Sequence, residues 1–204
     1  MNCFAYKTDM YNITIGHKNS FIDVKDINAD VNYSLEAPKF EINGDIVACQ
    51  PLESVKVENE RDMANGGREI KFSCSFEHSI GINLSLYLQC FPGSPFIRYR
   101  YELRSEDPAA LTKLQGKDNI EYTGFSTDFI KSQLTEIQFS QFNPKVHSYN
   151  PNFDKKSEGE LINGCDFQGP IVLMEGDNQS LLLAYEHGAE CPLYVIQIGS
   201  DLVP

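Results

Sequence analysis

Apolar and polar residues alternate with period two along most of this chain, the pattern of β-strands that bury one face. The clearest run is 80 to 91, where Ile82, Leu84, Leu86, Leu88 and Cys90 point one way and Asn83, Ser85, Tyr87 and Gln89 the other. Phe91-Pro92-Gly93-Ser94-Pro95 then ends the strand, because proline brings no donor to a ladder and glycine permits a turn. Ile97, Tyr99, Tyr101 and Leu103 alternate against Arg98, Arg100, Glu102 and Arg104, which makes the second arm of a long hairpin. Upstream, Ile70, Phe72, Cys74 and Phe76 follow a turn signal at Asn65-Gly66-Gly67 and extend the meander to three strands.

Shorter strands are predicted at 11 to 15, 20 to 24, 30 to 35, 39 to 42, 54 to 58, 134 to 142, 169 to 174, 180 to 186 and 193 to 198. The total comes to about a dozen. Asn43-Gly44-Asp45, Gly176-Asp177-Asn178 and Gly188-Ala189-Glu190 supply turns between them. No stretch carries a sustained 3.6-residue period with caps, so helices should be few and short and the class all-β. Residues 143 to 168 are rich in Asn, Pro, Gly, Ser and charge, and read as a long ordered loop with a functional role. With no repeat and no linker-like composition, 1–204 is expected to form a single domain.

Composition narrows the partners. A net charge of −12 argues against nucleic acid, whose binding depends on clustered Lys and Arg that release counterions. Lys155-Lys156, the longest basic run, sits between Asp154 and Glu158 and reads as a solvated turn. No apolar run is long enough to span a bilayer, and Met1-Asn2-Cys3-Phe4 lacks the features of a secretion signal, so the expected location is the cytoplasm without membrane association. The six cysteines are too sparse for a disulfide scaffold and are read as mostly buried thiols.

Candidate chemistry is thin. Tyr185-Glu186-His187-Gly188 sets a carboxylate beside an imidazole at a strand end. Glu186 and His187 there either line a sugar pocket and do acid/base work, or hydrogen-bond neighbouring strands and fix the turn. His17, His78, His147 and His187 form no close ligand pair, and Cys-x-x-Cys is absent, so no metal site is expected. Phosphate-binding glycine loops and a Gly-x-Ser-x-Gly elbow are absent too, so no cofactor is implied. Arg98, Arg100 and Arg104 either clamp an anion, stack on aromatic rings, or pair with acidic groups on adjacent strands. Tyr122, Phe125, Tyr149 and Phe153 are candidate platforms for a sugar or ordinary packing residues. No two carboxylates stand out as a glycosidase pair, and none is nominated as catalytic.

Three segments in order, Gly93-Ser94-Pro95-Phe96-Ile97-Arg98-Tyr99-Arg100-Tyr101-Glu102-Leu103, Leu111-Thr112-Lys113-Leu114 and Leu181-Leu182-Leu183-Ala184-Tyr185-Glu186-His187-Gly188, together with His147-Ser148-Tyr149-Asn150-Pro151, resemble the N-terminal domain of α-galactosidase-type enzymes of glycoside hydrolase family 36. The resemblance covers most of 70 to 198. It implies a twisted two-layer antiparallel β-supersandwich, similar to galactose mutarotase, placed ahead of a catalytic (β/α)-barrel in the same chain. It further implies a non-catalytic role supporting that barrel, contacts in a homo-oligomer, and a loop sent towards a galactoside. On that basis the substrate-binding candidates are Glu186, His187, His147 and Tyr149. The alternatives are a free-standing mutarotase-type epimerase, with His78, His147 and Glu186 as acid/base groups, and a carbohydrate-binding module.

Overall fold

In the computed structural model, the residues described are 4–17, 20–36, 39–48, 56–74, 81–112, 123–127, 133–143, 148–157, 165–167, 171–176, 179–185 and 196–198. Every regular element among them is a strand, and every pairing is antiparallel. The chain therefore belongs to the all-β class. Its contacts gather into two units, Met1–Asp128 and Phe129–Pro204.

The first unit runs through β1 (Phe4–Lys7), β2 (Tyr11–His17), β3 (Ser20–Asp26), β4 (Asn32–Leu35), β5 (Lys39–Ile42) and β6 (Asp45–Ala48). It continues with β7 (Lys56–Asp62), β8 (Arg68–Cys74), β9 (Ile82–Cys90), β10 (Ile97–Ser105), β11 (Leu111–Thr112) and β12 (Phe125–Thr127). Three sheets result, ordered β1-β2-β3-β4-β12, β10-β9-β8-β7 and β11-β5-β6. The long hairpin expected from the alternation is β9 paired with β10, with Ile97 opposite Cys90 and Ser105 opposite Ile82.

The two larger sheets pack face to face, as the period-two pattern requires of strands with one apolar face. Tyr11, Ile13, Ile15, Ile22 and Val24 of the first sheet share a buried cluster with Ile70, Phe72, Leu84, Leu86, Leu88 and Cys90 of the second. Aromatic edges tie the layers together: the Phe4 and Phe72 rings lie 5.1 Å apart at 71°, and Phe21 stands 6.2 Å from Tyr101. The Phe91 backbone N–H donates to the Tyr11 hydroxyl at 3.2 Å, so a buried phenol from one sheet satisfies a main-chain group just past the end of β9 in the other. β7 lies at the edge of its sheet and is exposed along its whole length, and its charged sequence Lys-Val-Glu-Asn-Glu-Arg-Asp discourages edge-to-edge pairing.

Turn chemistry follows the sequence. Asn43 (φ 56°) and Gly44 (φ 91°) both take the left-handed conformation that a two-residue hairpin loop needs between β5 and β6. After β9, Ser94 N–H donates to the Phe91 carbonyl at 3.1 Å across Pro92 and Gly93. Gly93 has φ 72°, so this is a type II turn with proline and glycine in their preferred places.

The second unit holds β13 (Gln133–Asn143), β14 (Ser148–Ser157), β15 (Cys165–Phe167), β16 (Ile171–Glu175), β17 (Ser180–Ala184) and β18 (Ile196–Ile198). The sheet order is β14-β13-β16-β17, and β15 pairs with β18. Leu134, Val172 and Met174 are buried there, with Leu134 opposite Met174.

Here the structure corrects the expectation of a long loop at 143 to 168, because residues 148–157 form a ten-residue strand and 165–167 a short one. The polar composition and Pro151 concealed β14. That strand is at the sheet edge, and Pro151 falls where the register shifts between Gln138 and Gln141, so its missing N–H interrupts no regular ladder.

Candidate functional site

The outward residues of β7 to β10 build a polar surface whose parts hold one another in place. Register sets Arg61 of β7 opposite Glu69 of β8, and Glu69 opposite Gln89 of β9. The Glu69 carboxylate is almost fully buried, and it accepts from Arg61 Nε at 2.8 Å and Nη2 at 2.7 Å on one oxygen, and from Gln89 Nε2 at 2.8 Å on the other. Burial of a carboxylate is tolerated because both oxygens are met by donors.

One step along, Lys71 pairs with Glu58 at 2.6 Å. That contact holds the Glu58 carboxyl below its ordinary range and pushes the Lys71 ammonium pKa up. Glu58 reaches this face through the register shift between Val57 and Asn59.

Tyr87 of β9 lies at the centre of the same row, opposite Lys71 on one side and Arg100 on the other. The Arg100 guanidinium carbon sits 3.7 Å from the Tyr87 ring centroid, close enough for face stacking, and the Lys71 ammonium is 5.8 Å from it. The Tyr87 hydroxyl donates to Glu102 Oε2 at 2.7 Å, while Arg104 Nε donates to Glu102 Oε1 at 2.5 Å. The tyrosine contact first, and Arg104 after it, hold the Glu102 carboxyl below its usual range. Arg100 Nη1 stands 4.0 Å from Glu102, beyond hydrogen-bonding distance.

These strands enclose an open depression of about 270 Å³, lined by Asn59, Arg61, Glu69, Lys71, Tyr87 and Arg100. A second, of about 230 Å³, lies on the outer face of β2, β3 and β4 and includes Asn12, Thr14, Asp23, Lys25, Asn32 and Tyr33. Ser34 Oγ donates to Asp23 Oδ1 there at 2.5 Å. Neither lining includes a histidine or cysteine, and among the described residues no group of three or more His, Cys, Asp or Glu converges as metal ligands do. What the first depression offers is hydrogen bonding and positive charge in an acidic chain.

The arginine row resolves in part as an ion-pair surface and in part as stacking. Arg104 and Arg100 approach Glu102 of their own strand rather than an acid across the sheet, Arg100 covers Tyr87, and Arg98 lies 5.5 Å from the Phe91 ring centroid. Phe125 is on β12, where its ring stands 5.9 Å from Tyr33, a packing role rather than an open platform. Of the substrate-binding candidates, Tyr149 lies on β14 opposite Phe142. Glu186, His187 and His147 lie outside the described residues, as do His78 and Tyr122. The described surface at Glu69 and Tyr87 was missed as a site, although an aromatic residue on the polar face of an otherwise regular alternating strand was the signal for it.

No protein-family model, curated protein or solved structure matches this chain. Among the described residues no helix is long and apolar enough to cross a membrane.

Proposed function

We propose that this chain is a non-catalytic β module of an α-galactosidase-like glycoside hydrolase, acting beside a catalytic barrel that follows it in the same protein. The observation that carries the reading is the order of the family-like segments and where they fall on the strands. Gly93–Leu103 supplies the second half of the type II turn and most of β10, Leu111-Thr112 is β11, and Leu181–Ala184 lies in β17. Support also comes from the face-to-face packing of two antiparallel sheets in the first unit, the architecture that a supersandwich elaborates. Fold alone does not assign an activity, so the sequence segments bear the weight.

In this role the protein contributes scaffold and oligomer contacts, with Glu186, His187, His147 and Tyr149 as the residues that reach the galactoside. The chemistry of bond cleavage belongs to two carboxylates on the barrel. Cytoplasmic location accompanies this reading.

The test has two arms. The chain alone should not hydrolyse an aryl α-galactoside, whereas the product of the full reading frame should; turnover by the chain alone that survives repurification and follows its concentration would overturn the proposal. Polarimetry on galactose addresses the epimerase alternative, and an accelerated mutarotation rate would favour it over the module reading.

A further inference from the structure

We propose that the depression between β7 and β10 binds a small oxyanion of the phosphate class, with Arg100 as its principal ligand. This inference rests on the outer face of one sheet and is independent of the glycosidase reading.

Three cations, Arg61, Lys71 and Arg100, line one concavity, and they differ in how far their charge is already engaged. Arg61 is spent on the buried Glu69 carboxylate, and Lys71 faces Glu58 at 2.6 Å. The Arg100 guanidinium makes no hydrogen bond to a described residue: the nearest described carboxylate is 4.0 Å away and its other partner is a ring face. A guanidinium carries five N–H donors in a fixed plane, and stacking uses the face of that plane while leaving the edge for an acceptor.

The plane is also held. Arg100 lies 3.7 Å from the Tyr87 centroid, and Tyr87 is tethered through its hydroxyl to Glu102, which is in turn held by Arg104. Less rotamer freedom is therefore left to lose when an anion arrives. The Lys71 ammonium, 5.8 Å from the centroid of the same ring, is paired with Glu58 and remains partly exposed.

Size and charge select the ligand. At about 270 Å³ the depression sits below the usual range for drug-sized ligands, which favours an ion or a single group over an oligosaccharide. Arg61 and Lys71 are already matched by Glu69 and Glu58, so the open edge of the Arg100 guanidinium supplies the charge for the anion. The net charge of −12 opposes any anion at long range, but mobile salt screens exposed charges beyond about 8 Å at physiological ionic strength, so the balance is set by Arg100 against the nearby Glu102.

The experiment is a titration of the full chain with inorganic phosphate at constant ionic strength, read by NMR on the arginine Nε–H resonances and by calorimetry. The Arg100 resonance should shift saturably, and chloride should not reproduce the shift. Arg100→Gln should weaken binding about tenfold, the loss of one charge-assisted fork. Arg100→Lys, which keeps the charge and loses the plane, should stay about threefold weaker than the wild type. Arg98→Gln, on the same strand but outside the lining, should change affinity less than about twofold.

Arg100 is half exposed, so these variants should keep the fold, which near-ultraviolet circular dichroism checks; Lys71→Gln gives a second reading with an expected loss of about threefold. A linear, non-saturating shift, an equal effect of chloride, or equal losses in Arg98→Gln and Arg100→Gln would each overturn the proposal.

Discussion

Burial of the Cys90 thiol pushes its pKa up to about 11, with the Tyr11 hydroxyl opposing the shift only in part. An unfolded chain releases that proton near 9, so between about 9 and 11 the unfolded state binds fewer protons than the folded one. Stability from this group is complete below pH 9 and is lost as pH rises through 11. Burial also raises the pKa of Tyr11, which acts in the same direction at higher pH. Urea melts should therefore show an unfolding free energy that falls by about 2 kcal/mol over this window. Cys90→Val should flatten that fall, and a profile unchanged by the substitution would show that another group titrates.

Glu69 makes a second residue-scale case. Glu69→Ala leaves the Arg61 and Gln89 donors without their acceptor and should cost about 1–3 kcal/mol by the same melts. Ser73→Ala, at the next but one outward position of β8, removes only a contact to the exposed Glu58 carboxylate and should cost less than Glu69→Ala.

Strands differ in what they tolerate, and their place in the sheet decides it. β9 is flanked on both sides, and its Leu84, Leu86 and Leu88 are fully buried. Leu86→Ala should cost about 2–5 kcal/mol through lost burial and the cavity left behind. Pro151→Ala on the edge strand β14 should stay within about 0.5 kcal/mol, since the register is already broken there. Equal costs at the two positions would contradict the sheet order.

The same contrast explains what could be read beforehand. Alternation was strong in β8, β9 and β10 because one face is apolar and the other wet, and these strands lie within a residue or two of where the pattern places them. β14 was hidden because an edge strand with a proline at a bulge needs no apolar face to stay paired. β1, β6 and β12, of four residues or fewer, carry no predicted strand, whereas β5, equally short, is read at 39 to 42 ahead of the Asn43-Gly44 turn signal. The surface around Glu69 and Tyr87 is marked in the sequence by Tyr87 alone, because its members come from four strands and only the register brings them onto one face.

At the scale of the molecule, contacts divide the chain near residue 128, although no glycine- or proline-rich linker marks the place. All residues of the large buried cluster, from Phe4 to Phe125, belong to the first unit. A fragment of residues 1–128 should therefore unfold cooperatively by itself, with one transition seen alike by circular dichroism and by tyrosine fluorescence. A gradual or probe-dependent transition would show that its core is incomplete without the rest.

The module reading is tested most directly by the native coding sequence beyond the codon for Pro204. The account predicts an open frame that continues through alternating strand and helix patterns of barrel length, about 250 residues, with the catalytic carboxylates at the ends of its strands. A stop codon directly after Pro204 would contradict it and leave a protein whose activity, if any, must reside in these strands.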